Sequence, residues 1–212
     1  KKLEEITYDE MLEMATLGAK VLHNRSVEMA KKYGVQLVVR SSLTQAEGTV
    51  VKEVSKMESM LVTGVALDKN TARIAIIGLQ NQPGIAFKIF SLLARKNINV
   101  DVILQSIGRD NTKDISFTVS RDDAKEAVEL LEENKKALTA ERIEMDDTVV
   151  KVSVVGAGMQ TNAGVAAGMF EALYNANINI RMIATSEIRV TVILDETDAD
   201  RAMRAVHEKF ME

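Results

Sequence analysis

The sequence predicts an α+β chain: two ferredoxin-like βαββαβ modules packed through their sheets, behind a short stretch with helices and strands of its own. Three observations carry this. An internal repeat spans most of the chain, and within each copy the apolar period alternates between that of a strand and that of a helix. The composition is that of an ordinary core-forming protein, with 46% apolar and 27% charged residues among 212.

The first fifty-odd residues stand outside the repeat. Thr7-Tyr8-Asp9-Glu10 has the capping-box pattern and leads into a helix carrying Met11, Leu12, Met14 and Ala15. Leu17-Gly18-Ala19-Lys20 marks a break, and a second helix is expected from about Ser26 to Lys32, stopped by Gly34. Val35–Arg40 and Thr49–Val51 read as short strands. This piece is small for an independent folding unit, which points to excision from a larger domain, as does a first residue that is Lys and not Met.

The repeat then begins. Residues 73–100 and 151–180 align so that Gly84-Ile85-Ala86 matches Gly164-Val165-Ala166, and Asn97-Ile98-Asn99-Val100 matches Asn177-Ile178-Asn179-Ile180, at a step of 80. Gly78 matches Gly156, so the second copy has two extra loop residues. Asp114–Val119 matches Glu187–Val192 at a step of 73, which places a longer hairpin turn around Gly108–Lys113 in the first copy. Each copy opens with a β-branched strand, Arg73–Gly78 or Val149–Val155. A polar loop and an Ala-rich amphipathic helix follow; in the first copy Ile85, Ile89, Phe90, Leu92 and Leu93 form its inward stripe. Asn97 and Asn177 end these helices as left-handed terminators. Hairpins are expected from 98–107 with 114–119 and from 178–185 with 187–194. A second helix closes each copy, Asp122–Glu133 and Thr197–Phe210. Glu141–Met145 supplies a fourth strand to the first copy only. The segment 61–67, upstream of the first copy, is the unclaimed strand and is assigned to the second module's sheet.

Composition excludes several functions. With 27 Lys+Arg against 31 Asp+Glu the net charge is −4, so there is no electrostatic footprint for nucleic acid. The chain has no Cys and only His23 and His207, which removes disulfides, thiol nucleophiles and cysteine-based metal sites and leaves no histidine cluster. His23 reads as a capping or core residue, and His207 as an exposed one. No apolar run approaches the roughly 18–20 residues of a membrane span, and no signal peptide is present, so a cytoplasmic protein is expected. No phosphate-binding loop or nucleophile–base pattern appears, and no residue is assigned as catalytic or metal-binding.

The informative places are the two loops between first strand and first helix, Gln80–Ala86 and Gly158–Ala166. Free N–H groups and the positive end of the helix dipole suit a small carboxylate there. Gly84 and Gly164 allow close backbone approach, while Asn81, Thr161 and Asn162 add polarity. Carboxylates such as Asp101 and Glu187 are placed to meet an ammonium group, so the chemistry is amino-acid recognition. For any single loop, Asn, Thr and Pro-Gly are ordinary helix caps; the doubling of the pattern favours a ligand.

The repeated loop, helix and Asn-Ile-Asn motif resembles a pair of ACT modules. More narrowly, Val62–Ala66, Val100–Gln105, Val155–Met159 and Thr185–Arg189 resemble the regulatory region of the aspartokinase family, and Met11–His23 with Arg40-Ser41-Ser42 resembles the end of its kinase domain. The resemblance implies a kinase-domain remnant and linker at 1–55, a first ACT module at 72–146, and a second from 61–67 plus 148–212. It implies a whole enzyme that transfers phosphate from ATP, with Mg, to the β-carboxylate of aspartate. No cofactor is assigned to this stretch, which lacks the nucleotide motif and is expected to be inactive alone. Lysine or threonine is the implied effector, bound where modules meet, in a homodimer or paired with a catalytic subunit. One pocket would use Asn81, Gly84, Ile85, Ala86 and Gln105 with Asn179 and Ile180. The related pocket would use Met159, Thr161, Asn162, Gly164 and Val165 with Asn99, Asp101, Ser186 and Glu187. Many relatives carry Asp at Asn81, His-Pro at Asn162-Ala163 and Ser at Ala184. The uncharged Asn81 ranks lysine in the second pocket above threonine in the first. Met57 or Met60 stands where some relatives start a separate regulatory subunit. The alternative is a constitutive dimerisation module without ligand response.

Overall fold

The computed structural model describes residues 2–53, 61–107, 111–160 and 162–211. Met57, Met60 and Thr161 lie outside them, as do residues 108–110 of the expected hairpin turn. In chain order the elements are β1 (Glu5–Thr7), α1 (Tyr8–Thr16), α2 (Asn24–Tyr33), β2 (Leu37–Val39), β3 (Thr49–Lys52) and β4 (Gly64–Asp68). The first copy supplies β5 (Ala72–Gln80), α3 (Ile85–Arg95), β6 (Ile103–Ile107), β7 (Thr112–Val119), α4 (Arg121–Leu138) and β8 (Arg142–Asp146). The second supplies β9 (Val149–Val155), a 3-10 turn (Ala157–Gln160), α5 (Val165–Asn175), β10 (Met182–Thr185), β11 (Arg189–Asp195) and α6 (Ala199–Met211).

The chain folds as two compact units, Asn70–Val150 on the one hand and Lys1–Lys69 with Lys151–Glu212 on the other. In the first, the sheet order is β6-β7-β5-β8, with β5 antiparallel to both neighbours. Alternate residues of β5 and β7 meet α3 and α4 in one core built on Ile74, Ile76, Ile89, Leu93, Phe117 and Leu131. Phe90 meets Phe117 edge-on, ring centroids 5.5 Å apart, which is the favoured geometry for an aromatic pair. A bulge in β5 between Ile76 and Leu79, where Gly78 N donates to Asp114 Oδ1 at 2.9 Å, turns the strand end toward its loop.

In the other unit the order is β10-β11-β9-β4. β4 pairs with β9 antiparallel from Gly64↔Val155 to Asp68↔Lys151, taking beside β9 the place that β8 takes beside β5. A separate sheet, β1-β3-β2, packs with α1 and α2 around Ile6, Tyr8, Met11, Val27 and Val51. Thr7 caps α1 with both bonds of the capping box, and His23 caps α2 by accepting from Arg25 N at 3.2 Å.

Several boundaries differ from expectation: α2 starts at Asn24 and not Ser26, β2 is shortened to Leu37–Val39, and β10 starts at Met182, not 178, beyond the left-handed Asn177. β6 starts at Ile103, not 98, because the left-handed turn at Asn97 (φ 56°) leaves 98–102 irregular; only Asp101 N to Thr118 O and Thr118 N to Val102 O extend the ladder there. α4 runs on to Leu138, which is buried, and stops at left-handed Thr139. Thr197 lies in a short 3-10 turn, Glu196–Asp198, ahead of α6. Phe117→Ala should cost about 3–5 kcal/mol through the void left in a fully buried site, read as a lowered urea midpoint for the unit 70–150.

Candidate functional site

The same junction occurs in both units. The strand runs out, a polar loop follows, and a glycine with positive φ starts the helix: Gly84 at 87° before α3 and Gly164 at 106° before α5. Neither helix receives a side-chain cap, and neither has an acidic residue in its first turn. This is selective, because Thr7, His23 and Ser120 cap α1, α2 and α4. The N–H groups that begin α3 and α5 are thus left to solvent or a ligand, at the positive end of the helix dipole. Ile85 and Val165, the first helical residues, point their side chains into the cores, and Gly84 and Gly164 have open space where a Cβ would stand. Such a junction can take up a small carboxylate.

Within the unit 70–150, Asn81 is exposed and its N–H donates to Asn111 O at 3.1 Å, so the start of β7 holds the loop. Ala86 is half-buried. Gln105 is exposed on edge strand β6, opposite Ile115. Asn99 and Asp101 are exposed in the irregular segment before β6. In the other unit Met159 is half-buried in the 3-10 turn and donates its N–H to Gly156 O at 3.2 Å. Asn162 Nδ2 donates to Gly158 O at 2.9 Å, so this side chain also braces its own loop. Ser186 and Glu187 are exposed in the hairpin turn, closed by Ser186 N to Arg189 O at 2.8 Å, while Asn179 is exposed and Ile180 half-buried beyond the left-handed Asn177. Lys209 on α6 donates to Glu171 on α5 at 2.8 Å and holds that exposed carboxyl below the usual glutamate range.

Two grooves run along α3 and α4 of the unit 70–150. One, of about 270 Å³, is lined by Phe87, Leu92, Arg95 and Leu138; the other, of about 450 Å³, by charged residues of α4 with Lys96. Among the described residues no group of three or more His, Cys, Asp or Glu is placed to hold a metal, and no helix is long and apolar enough to cross a membrane.

Sequence reasoning missed the groups that hold the second junction. Glu10 reaches from α1 to Ala157 N, and Glu13 pairs with Arg189. The signal is half visible, since Thr7–Glu10 reads as a capping box, but the reach of the second oxygen of Glu10 has no local pattern.

A tandem ferredoxin-like protein with an open, glycine-started helix in each copy is the class that this geometry defines. Comparison with known proteins narrows it. The ACT domain family matches residues 74–134 and 152–210. Aspartokinase 2 of Bacillus subtilis is 47% identical over 211 residues, covering 99% of this chain and 52% of that protein, so the chain spans about half the length of such relatives. The ligand-free regulatory subunit of aspartate kinase from Thermus thermophilus superposes with a TM-score of 0.67 at 43% identity, covering 71% of this chain and 99% of that one. Aspartokinase III of E. coli, in complex with lysine and aspartate in its T-state, gives a TM-score of 0.77 at 28% identity, covering all of this chain and 47% of that one. The chain belongs to the ACT domain family, as a tandem pair of the kind found in the regulatory part of aspartokinases.

Gly84→Ala and Gly164→Ala should each cost about 1–2 kcal/mol, although no atom lies within 4 Å of the new methyl, because the backbone there is left-handed. Urea unfolding of the two variants checks this.

Proposed function

We propose that the chain is the amino-acid-sensing region of an aspartokinase: an end-product amino acid, lysine ahead of threonine, binds at the open loop–helix junctions and lowers phosphorylation of aspartate. The observation that carries the reading is the pair of uncapped, glycine-started helices in a chain that caps α1, α2 and α4 with side chains. Backbone N–H groups of each junction take the ligand carboxylate, and nearby exposed acids take its ammonium. In the first junction the effector contacts are Asn81, Gly84, Ile85, Ala86 and Gln105; in the second, Met159, Asn162, Gly164, Val165, Ser186 and Glu187. Support comes from the lysine in the E. coli relative and from the regulatory subunits among the similar structures.

In this reading ATP and Mg act in the half of the relatives that this chain does not span. The protein works in the cytoplasm, as a dimer or beside a catalytic subunit. Val21, Met29, Tyr33, Val35, Val38 and Leu43 of the N-terminal segment are exposed apolar residues, which agrees with contacts to further protein there. Inhibition follows only if the effector binds one arrangement of the protein more tightly than the other.

The rival reading, ligand-independent dimerisation, draws on edge strand β6, where Ile103 and Leu104 are exposed. Titration calorimetry and thermal shift with lysine and threonine separate the two. Saturable heat and a rising midpoint are expected, with about 2.7 kcal/mol of stabilisation at a hundred times Kd. Absence of both responses, in a folded dimeric sample, overturns the effector reading.

A further inference from the structure

Two segments of the second junction, the 3-10 turn Ala157–Gln160 and the hairpin turn before β11, are held by a helix that belongs to neither. Glu10 on α1 is only 5% exposed. Its Oε2 accepts from Thr7 N at 3.2 Å and Thr7 Oγ1 at 2.8 Å. Its Oε1 accepts from Thr63 Oγ1, just before β4, and from Ala157 N at 3.0 Å. Glu13, three residues on and so on the same helix face, receives Arg189 Nη1 at 3.0 Å. Arg189 O closes the turn that carries Ser186, and Ile188 O accepts from Gly156 N at 3.0 Å. Below these contacts Met14 packs on the cluster of Leu17, Ala66 and Val155.

The arrangement is more than a helix cap. A capping box needs one acceptor from its glutamate, yet here each oxygen takes one backbone N–H, one local and one 147 residues away. Glutamine cannot replace it. An amide offers one accepting oxygen and one NH₂ that accepts nothing, and a backbone N–H, unlike a hydroxyl, cannot reverse its role. Either the cap or the loop must lose its bond.

Resting on the effector reading above, we propose that Glu10 and Glu13 are positioning residues of the second junction and that α1 couples it to the N-terminal segment. The carboxylates hold 157–160 and 186–189 in the geometry that receives the ligand. Occupancy in turn stabilises the docking of α1, since coupling between sites is reciprocal.

The test is amide hydrogen exchange on the 212-residue chain, wild type, Glu10→Gln and Glu13→Gln, with and without L-lysine, beside calorimetric titration. Without ligand, Glu10→Gln should speed exchange at 157–160 by about tenfold or more, leaving residues 72–146 unchanged; Glu13→Gln should do so at 186–189. Lysine should slow exchange at residues 8–16 in wild type and not in Glu10→Gln, whose lysine affinity should fall about tenfold. Loss of that remote protection is a readout that mere destabilisation does not give. Thr63→Ser, which keeps the hydroxyl, should behave as wild type. Unchanged exchange at both Thr7 and 157–160 in Glu10→Gln overturns the positioning role, and lysine binding that leaves 8–16 unaffected overturns the coupling. Absence of lysine and threonine binding in wild type overturns the effector reading and with it the coupling, while the ligand-free comparison still decides the positioning. Should Glu10→Gln fail to fold, the more exposed Glu13–Arg189 pair decides both.

Discussion

The antiparallel pairing of β4 with β9 is the constraint on which the rest depends. β9 is buried along its whole length and would present an unpaired edge without a neighbour on that side. Its neighbour comes from before the first module, so residues 70–150 form an insertion into the other unit. The insertion leaves and returns at one rung, Asp68↔Lys151, where the two side chains also form a sheltered ion pair at 3.4 Å. A module inserted where departure and return adjoin can keep a core of its own. β4 has a second duty, since the residues at its start meet α1. A single strand thereby completes one sheet and anchors the N-terminal segment to it.

Much of this was legible in the sequence. The repeat gives strand, loop, helix and hairpin in order, and Asn97 and Asn177 terminate their helices in the left-handed conformation that their identity suggests, at φ 56° and 54°. The capping box at Thr7 and Glu10 is a local pattern and is found in full. The strand missing from the end of the second copy, set against a spare apolar segment upstream, made the partner of β9 readable as a deficit. Element ends were less readable: α4 continues past Glu133 because Leu138 finds a buried place, which only tertiary packing decides.

The loop–helix junctions are legible in their backbone and not in their fastenings. Glycine followed by an apolar helix start, twice, marks the open junctions. That Asn162 braces its own loop, or that Ala157 is held by a glutamate 147 residues away, depends on three-dimensional placement that no spacing rule encodes. Long-range side-chain to backbone bonds carry no periodicity, and so they escape a reading built on period and propensity.

The two copies share a junction but differ in who holds it. In the first, Gly78 N is bound by Asp114 and Asn81 N by Asn111 O, both within the same module. In the second, Gly156 N is bound by Ile188 O, but Ala157 N is taken by Glu10 of α1, and the turn at 186–189 is tied to Glu13. Among the described residues, these bonds of the first junction stay within its own module, and the second shares its hydrogen bonds with the N-terminal segment. An apolar residue at position 10 could hold α1 down by burial alone, but burial has no direction and would not set the loop. A carboxylate surrounded by donors does set it, and its burial is tolerable only while those donors stay in place. That interdependence makes the second junction the one whose state the N-terminal segment can sense.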